Sequence, residues 1–183
     1  MINLTDLGFQ QNMIGETIVT TFDSKRNPNA APMGVVVEGT EQLLIRPYLT
    51  SSTFQNLRKN GYAVVNLTSD PRIFYKTAFK DKNLDKMKFV FLFEEAETID
   101  APRLKIADAV IEVSVAKQDL FNSERAEILC NIKYVKTSNI LPTVYCRAQF
   151  ATIEAIIYST RIEAFINGND QQERLLIQII LKL

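Results

Sequence analysis

The chain has 183 residues, 46% of them hydrophobic, and its 21 basic and 21 acidic side chains leave no formal net charge. That balance suits one compact domain, or a barrel with a small appended unit, and argues against disorder and against a broad basic face for nucleic acid. Histidine is absent, which excludes Ser-His and Cys-His nucleophilic pairs, histidine-ligated zinc and an imidazole base near neutral pH. The two cysteines, Cys130 and Cys146, fit neither a metal knuckle nor a disulfide framework. Redox chemistry would therefore need a borrowed cofactor, and no metal site is expected.

In chain order, residues 16–22 (ETIVTTF) are rich in β-branched side chains and predict a strand, with a break at Asn27-Pro28-Asn29. Residues 33–38 resume as a strand, and Glu38-Gly39-Thr40-Glu41 reads as a hairpin turn into residues 42–46. Such short spacing leaves no room for βαβ crossovers, so the sheet is expected to be antiparallel. A short helix follows, capped by Ser51 or Ser52, with Phe54 and Leu57 inward and Gly61 as its stop. Residues 62–67 form a further strand, and Asp70-Pro71 starts a second helix with Ile73, Phe74 and Ala78 on its apolar side.

Residues 80–88 alternate charges and read as a solvated loop with only a weak basic patch. Residues 89–93 and 109–117 predict strands joined by an acidic connection, and residues 125–135 alternate with Ala126, Ile128, Cys130, Ile132 and Tyr134 on one face. From about 146 to 167 the period becomes helical, with Phe150, Ile153, Ile156 or Ile157, and Phe165 on one side. Gly168 stops that helix, Asp170 and Glu173 resemble a capping box, and residues 171–182 predict a second helix. The expected class is mainly β with α: a barrel in residues 1–120, and a strand plus a C-terminal helical hairpin in residues 121–183, packed on it. No stretch reaches transmembrane length and no basic-then-apolar leader opens the chain, so a cytoplasmic protein without membrane attachment is expected.

The chemistry concentrates in residues 45–57. A strand ends at Arg46, the hydroxyl run Thr50-Ser51-Ser52-Thr53 follows, and a helix begins. A phosphate monoester wants several donors at once, and a guanidinium fork, hydroxyls and unpaired helix N-terminal amides supply them. No acidic residue occurs from 42 to 62, whereas Arg46, Arg58 and Lys59 are basic. The plainer alternative is a capped helix with a surface arginine. A second segment, Asn29-Ala30-Ala31-Pro32-Met33-Gly34, offers small residues for close backbone approach to a flat ring, and Pro32 removes an edge donor. Its alternative is an ordinary loop-to-strand transition.

On the runs 16–21, 29–35, 45–57, 63–70 and 153–161, in that order, the chain resembles the DUF447 proteins, found largely in archaea. The resemblance implies a split β-barrel related to flavin reductases and pyridoxamine-phosphate oxidases, a homodimer, and FMN near the subunit interface. By matching motif it implies phosphate contacts from Arg46, Ser51, Ser52, Thr53 and Asn56. It implies backbone neighbours of the ring at Ala31, Pro32, Met33 and Gly34, and polar edge contacts from Asn66 and Thr68. The chain departs from the family pattern at Tyr158, where histidine is common, and at Ala148, where glycine is. Two functions stand side by side. One is a flavin-dependent oxidoreductase fed by a reduced nicotinamide or deazaflavin, with proton delivery from water, backbone, Tyr48 or Lys76. The other is a non-catalytic dimeric scaffold, with or without flavin.

Overall fold

The computed structural model describes residues 3–80, 92–138 and 147–165, together with positions 175, 178 and 179. Two compact units form: Met1–Thr68 with Asp85–Ile140, and Ser69–Leu84 with Leu141–Leu183.

The first unit is a closed six-stranded barrel in the order β1-β2-β3-β8-β7-β4, antiparallel throughout. Its strands are β1 (Ile14–Phe22), β2 (Pro28–Glu38), β3 (Gln42–Ile45), β4 (Tyr62–Leu67), β7 (Ala109–Leu120) and β8 (Ala126–Thr137). The helix α1 (Ser52–Asn60) joins β3 to β4, and a small hairpin of β5 (Phe93–Glu95) and β6 (Pro102–Leu104) precedes β7. Val19, Val35, Val37, Leu43, Ile45, Ala63, Val65, Ile111, Val113, Ile128 and Cys130 fill the interior. They come from alternate positions of each strand, as the pleat requires. The expected antiparallel, mainly β barrel with helices is thus the observed class.

β4 is buried on both faces, which explains its continuous apolar run. Ala63 and Val65 face the barrel core, while Val64 packs with Ala101 and Val110 beneath the segment carrying β5 and β6. Two buried polar side chains fasten that segment. Asn66 Oδ1 accepts from Leu104 N at 2.8 Å, and Glu112 accepts from Glu97 N, Thr98 N and Thr98 Oγ1 at 2.6–2.7 Å. Glu112 is fully buried, and two amides and a hydroxyl offset the loss of its hydration. The acidic connection of the sequence is therefore a docked hairpin.

The strands differ from expectation in detail. β2 begins at Pro28 rather than at Met33, because the break falls earlier: Asp23 accepts from the amides of Lys25 and Asn27 and from Asn27 Nδ2, and Arg26 turns at φ 62°. β8 is paired on both edges, to β3 and β7, so the strand expected beyond residue 120 is part of the barrel. Its alternation also weakens after Cys130, where register shifts against β7 leave Ile132 and Tyr134 only half-buried.

In the second unit, Asp70 caps α2 (Pro71–Ala78) by accepting from Arg72 N at 2.9 Å, with Pro71 at the first helical position. Ile73, Phe74 and Thr77 are buried there, and α2 packs with α3 (Arg147–Phe165). Ile153, Ile156 and Ile157 of α3 are buried, but Phe150 is 42% exposed, against expectation. An eight-residue helix about 12 Å long cannot cover one of nineteen residues, about 28 Å, and Phe150 lies in the first turn. The charged loop after Lys80, the capping box at Asp170 and most of the predicted second helix of the hairpin lie outside the described residues. Among the described residues no helix is long and apolar enough to cross a membrane.

Candidate functional site

β3 pairs with β2 only from Val35 to Glu38, with Ile45 opposite Val35. β2 runs seven residues further back, to Pro28, with β1 on one edge and, among the described residues, no strand on the other. Thr17 Oγ1 on β1 donates to the Met33 carbonyl at 2.9 Å, so the polar groups of Met33 face β1. Those of Pro32 then face away, because successive residues of an antiparallel strand alternate sides. The missing donor of Pro32 therefore lies on the unpaired edge, where a ladder partner would otherwise be recruited.

The chain leaving β3 at Arg46 borders that same edge. It re-enters secondary structure at α1, whose buried Thr53 accepts from Asn29 Nδ2 at 3.2 Å. Thr21 Oγ1 accepts from Asn29 Nδ2 at 3.3 Å and from Asn56 Nδ2 at 2.9 Å, so one buried amide–hydroxyl network ties α1 to β1 and β2. The two segments singled out in the sequence are thus the two walls of one gap.

At the α1 end of the gap, Ser51 accepts from Phe54 N and donates to the Tyr48 carbonyl, and the Gln55 amide is bonded to Ser51 O. The amides of Ser52 and Thr53 make no hydrogen bond among the described residues, and the Ser52 side chain is exposed. These are the orphan donors of a helix start, and the macrodipole there favours an anion. Arg46 is 38% exposed and directs Nε and Nη2 to Glu127 Oε2, both at 2.9 Å. Its Nη1 has no hydrogen-bond partner among the described residues. Its plane lies 4.3 Å from the Phe121 ring centroid, and its carbonyl accepts from Arg125 Nη1 at 3.1 Å.

Several of the expected contacts make hydrogen bonds within the protein. Ser51 serves as the cap, and in the buried network Thr53 accepts and Asn56 donates. Asn66 is fully buried, donating to Ile18 O, Thr20 Oγ1 and Val64 O and accepting from Leu104 N, so its N–H groups are engaged and its amide holds β6. Thr68 lies half-buried just past β4 and is already bonded. The Met33 side chain packs against the core, Ala31 pairs with Val19, and the space a Cβ on Gly34 would need is taken by Ile14 Cγ2, 2.6 Å away. Gly34 is therefore explained by its strand neighbour without invoking a ring. Arg58 and Lys59 occupy the last turn of α1, about 9 Å along the helix from Ser52 and past a screening length, so they complement the C-terminal dipole instead.

Sequence reasoning missed Glu127, Phe121 and Arg125, all from the β7–β8 side, and Thr21 in the network, and it singled out Asn29 without its bonds to Thr21 and Thr53. No local signal could have found the first three, since they meet Arg46 only through strand pairing. A polar hollow of about 480 Å³ at Glu38–Gln42 and Asn131–Lys133 lies by the β2–β3 turn and touches none of the candidate residues.

The geometry so far is that of a barrel with a strand gap bordered by a helix start. A family model described as "Protein of unknown function (DUF447) N-terminal domain" matches residues 15–150. Among solved structures, the FMN-bound DUF447 protein MM1853 from Methanosarcina mazei aligns with TM-score 0.75 at 22% identity, over 98% of this chain and 91% of that one. The 2-nitrobenzoate 2-nitroreductase NbaA of Pseudomonas fluorescens aligns with TM-score 0.57 at 22% identity, over 69% of this chain and 67% of that one. Flavoredoxin of Desulfovibrio vulgaris aligns with TM-score 0.54 at 17% identity, over 69% and 70%. At these identities the likeness shows the fold, a split β-barrel. The family model covers most of the chain, and the protein belongs to the DUF447 family.

Proposed function

We propose that the chain binds FMN, with the phosphate at the start of α1 beside Arg46 and the ring along the unpaired edge of β2. The observation that carries this reading is the gap itself, with its orphan amides at Ser52 and Thr53 at one end and Pro32 on its open edge. The residues present fit a phosphate monoester: two free amides, the exposed Ser52 hydroxyl and Nη1 of a guanidinium pinned by Glu127. The FMN held by the Methanosarcina mazei relative supports the identity of the cofactor.

Bound FMN would supply hydride or electron transfer, and the protein's share would be binding and orientation. Arg46 is held on its Nε/Nη2 edge by Glu127, which fixes the direction in which Nη1 donates. The Asn29–Thr21–Thr53–Asn56 network keeps α1 at a fixed distance from β2, so the phosphate end and the ring edge stay in register. With no imidazole in the chain, proton transfer falls to water or a phenol, and the Tyr48 ring lies 3.9 Å from the Arg125 guanidinium. The reading extends to a flavin-dependent oxidoreductase that accepts electrons from a reduced nicotinamide or deazaflavin. It also extends to a homodimer with the flavin near the interface, which the exposed Met13, Ile14, Leu120 and Phe121 on the barrel unit support.

A yellow preparation whose released chromophore has the FMN spectrum, or a colourless one that FMN reconstitutes, is the expected result. A chain that neither carries nor takes up FMN would sink the reading. Anaerobic bleaching by NADH, NADPH or reduced deazaflavin tests turnover, and light scattering at several concentrations tests the dimer. One observation favours a second reading, a flavin-free scaffold: Ser51, Thr53, Asn56 and Asn66 each make hydrogen bonds within the protein. The same FMN titration decides between them.

A further inference from the structure

The β7–β8 connection brings a second arginine to the site. Arg125 lies 3.9 Å from the Tyr48 ring centroid and donates through Nη1 to the Arg46 carbonyl at 3.1 Å. Arg46 in turn lies over Phe121, so each segment's arginine rests on the other segment's aromatic ring. Leu49 N donates to Glu124 O at 2.8 Å and Ala126 N to Pro47 O at 3.0 Å, which closes the two segments into one clasp. Tyr48 also accepts from Ser51, the cap of α1, so the clasp abuts the helix start.

The charges in this clasp are uneven. Arg46 is balanced by Glu127, so that pair brings no net charge to an incoming anion. Arg125 is half-buried and has no carboxylate partner among the described residues, and its Nε and Nη2 make no hydrogen bond there. Stacking on Tyr48 stabilises the guanidinium from its face and leaves those in-plane donors unused. A half-buried cation without a counter-ion among the described residues, in a clasp joined to the cap of α1, is arranged for a dianion.

We propose that Arg125 is a phosphate-binding residue of this site, supplying the net positive charge that Arg46 cannot, and that it makes the site select FMN over riboflavin. The proposal rests on the FMN reading above. Its test is fluorescence titration of wild type and Arg125→Gln with FMN and, separately, with riboflavin, at low ionic strength. The expected result is FMN binding weakened about tenfold or more in the variant, with riboflavin binding unchanged within a factor of about two. Equal losses for both ligands would make the clasp purely structural, and unchanged FMN affinity would remove Arg125 from the site; either overturns the proposal while the FMN reading stands. A wild type that fails to bind FMN overturns both. Should the Gln variant unfold, Arg125→Met carries the test, because it removes the charge but keeps an apolar stem against the Tyr48 ring: a loss confined to FMN supports the proposal, and parallel or absent losses overturn it.

Discussion

Replacing Asn66 by alanine should destabilise the barrel and leave flavin affinity intact. The amide donates to Ile18 O and Thr20 Oγ1, both at 2.9 Å, and to Val64 O at 3.1 Å, and it accepts from Leu104 N at 2.8 Å, in a site with no solvent exposure. In the variant, Thr20 Oγ1 still reaches Val64 O at 3.2 Å and Pro102 O at 2.5 Å, so those groups remain bonded. The Leu104 amide is the group left stranded, and an orphaned buried donor costs roughly 1–3 kcal/mol, with about 1 kcal/mol more for the lost bonds to Ile18 and Thr20. A total of about 3 kcal/mol, divided by a urea dependence of about 2 kcal/mol/M, lowers the unfolding midpoint by about 1.5 M. Urea titration followed by circular dichroism measures that shift, and an FMN titration without denaturant measures the affinity. A variant with an unchanged midpoint and FMN binding down tenfold would put the amide on the ligand and refute the clamp assigned to it.

Arg46→Ala should weaken FMN binding by roughly 1.5–3 kcal/mol, the range for a hydrogen bond to a charged group, read by calorimetric titration; an unchanged dissociation constant places the phosphate elsewhere. Gly34→Ala should cost about 1 kcal/mol, because its methyl would lie 2.6 Å from Ile14 Cγ2. Ile14 is 63% exposed, and an Ile14→Ala background should recover most of that loss in a thermal melt. Burial pushes the Cys130 thiol from 9.0 up to about 12, so a thiol reagent at pH 8 should label it only as fast as the barrel unfolds. The same shift fixes a sign. Between pH 9.0 and about 12 the folded state keeps a proton that the unfolded state has released, so stability should fall as pH rises through that window, and Cys130→Ala should flatten the slope.

What the sequence disclosed was local. Ser51, Gly61, Asp70 and Pro71 announce helix ends because capping is decided within a few residues, and each does so in the structure. The strands β1, β4 and β7 were visible in β-branched runs, and β3 as the second arm of the hairpin turned at residues 38–41. The early start of β2 was hidden because Asn27-Pro28-Asn29 read as a break. Pro28 and Pro32 are tolerated in β2 because one of its edges has no ladder among the described residues over that stretch. At the site, the hydroxyl run was legible as a cluster of donors, but not which donors the fold itself would use. Thr53 and Asn56 turn inward because α1 presents them to Asn29 and Thr21, 24 and 35 residues away. The absence of acidic residues from 42 to 62 suggested an unopposed Arg46, yet strand pairing delivers Glu127 from 81 residues away. Charge read along a chain misses charge brought across a sheet.

The shape of the site follows from unequal strand lengths. β2 has eleven residues and β3 four, and the barrel closes because β8 pairs along the whole of β3 and crosses to β7. Seven residues of β2 therefore keep one edge that no strand among the described residues covers. An uncovered strand edge tends to recruit another strand. Here Pro32 withdraws a donor from that edge, and Asn29 spends its amide on α1. That amide ties the helix to β2, and the Ser52 and Thr53 amides at the helix start make no hydrogen bond among the described residues. A ligand that combines an anion with a flat ring would use both halves of this arrangement at once. An anion alone would use only the helix end, and would leave unexplained why β3 stops at Ile45 while β2 continues.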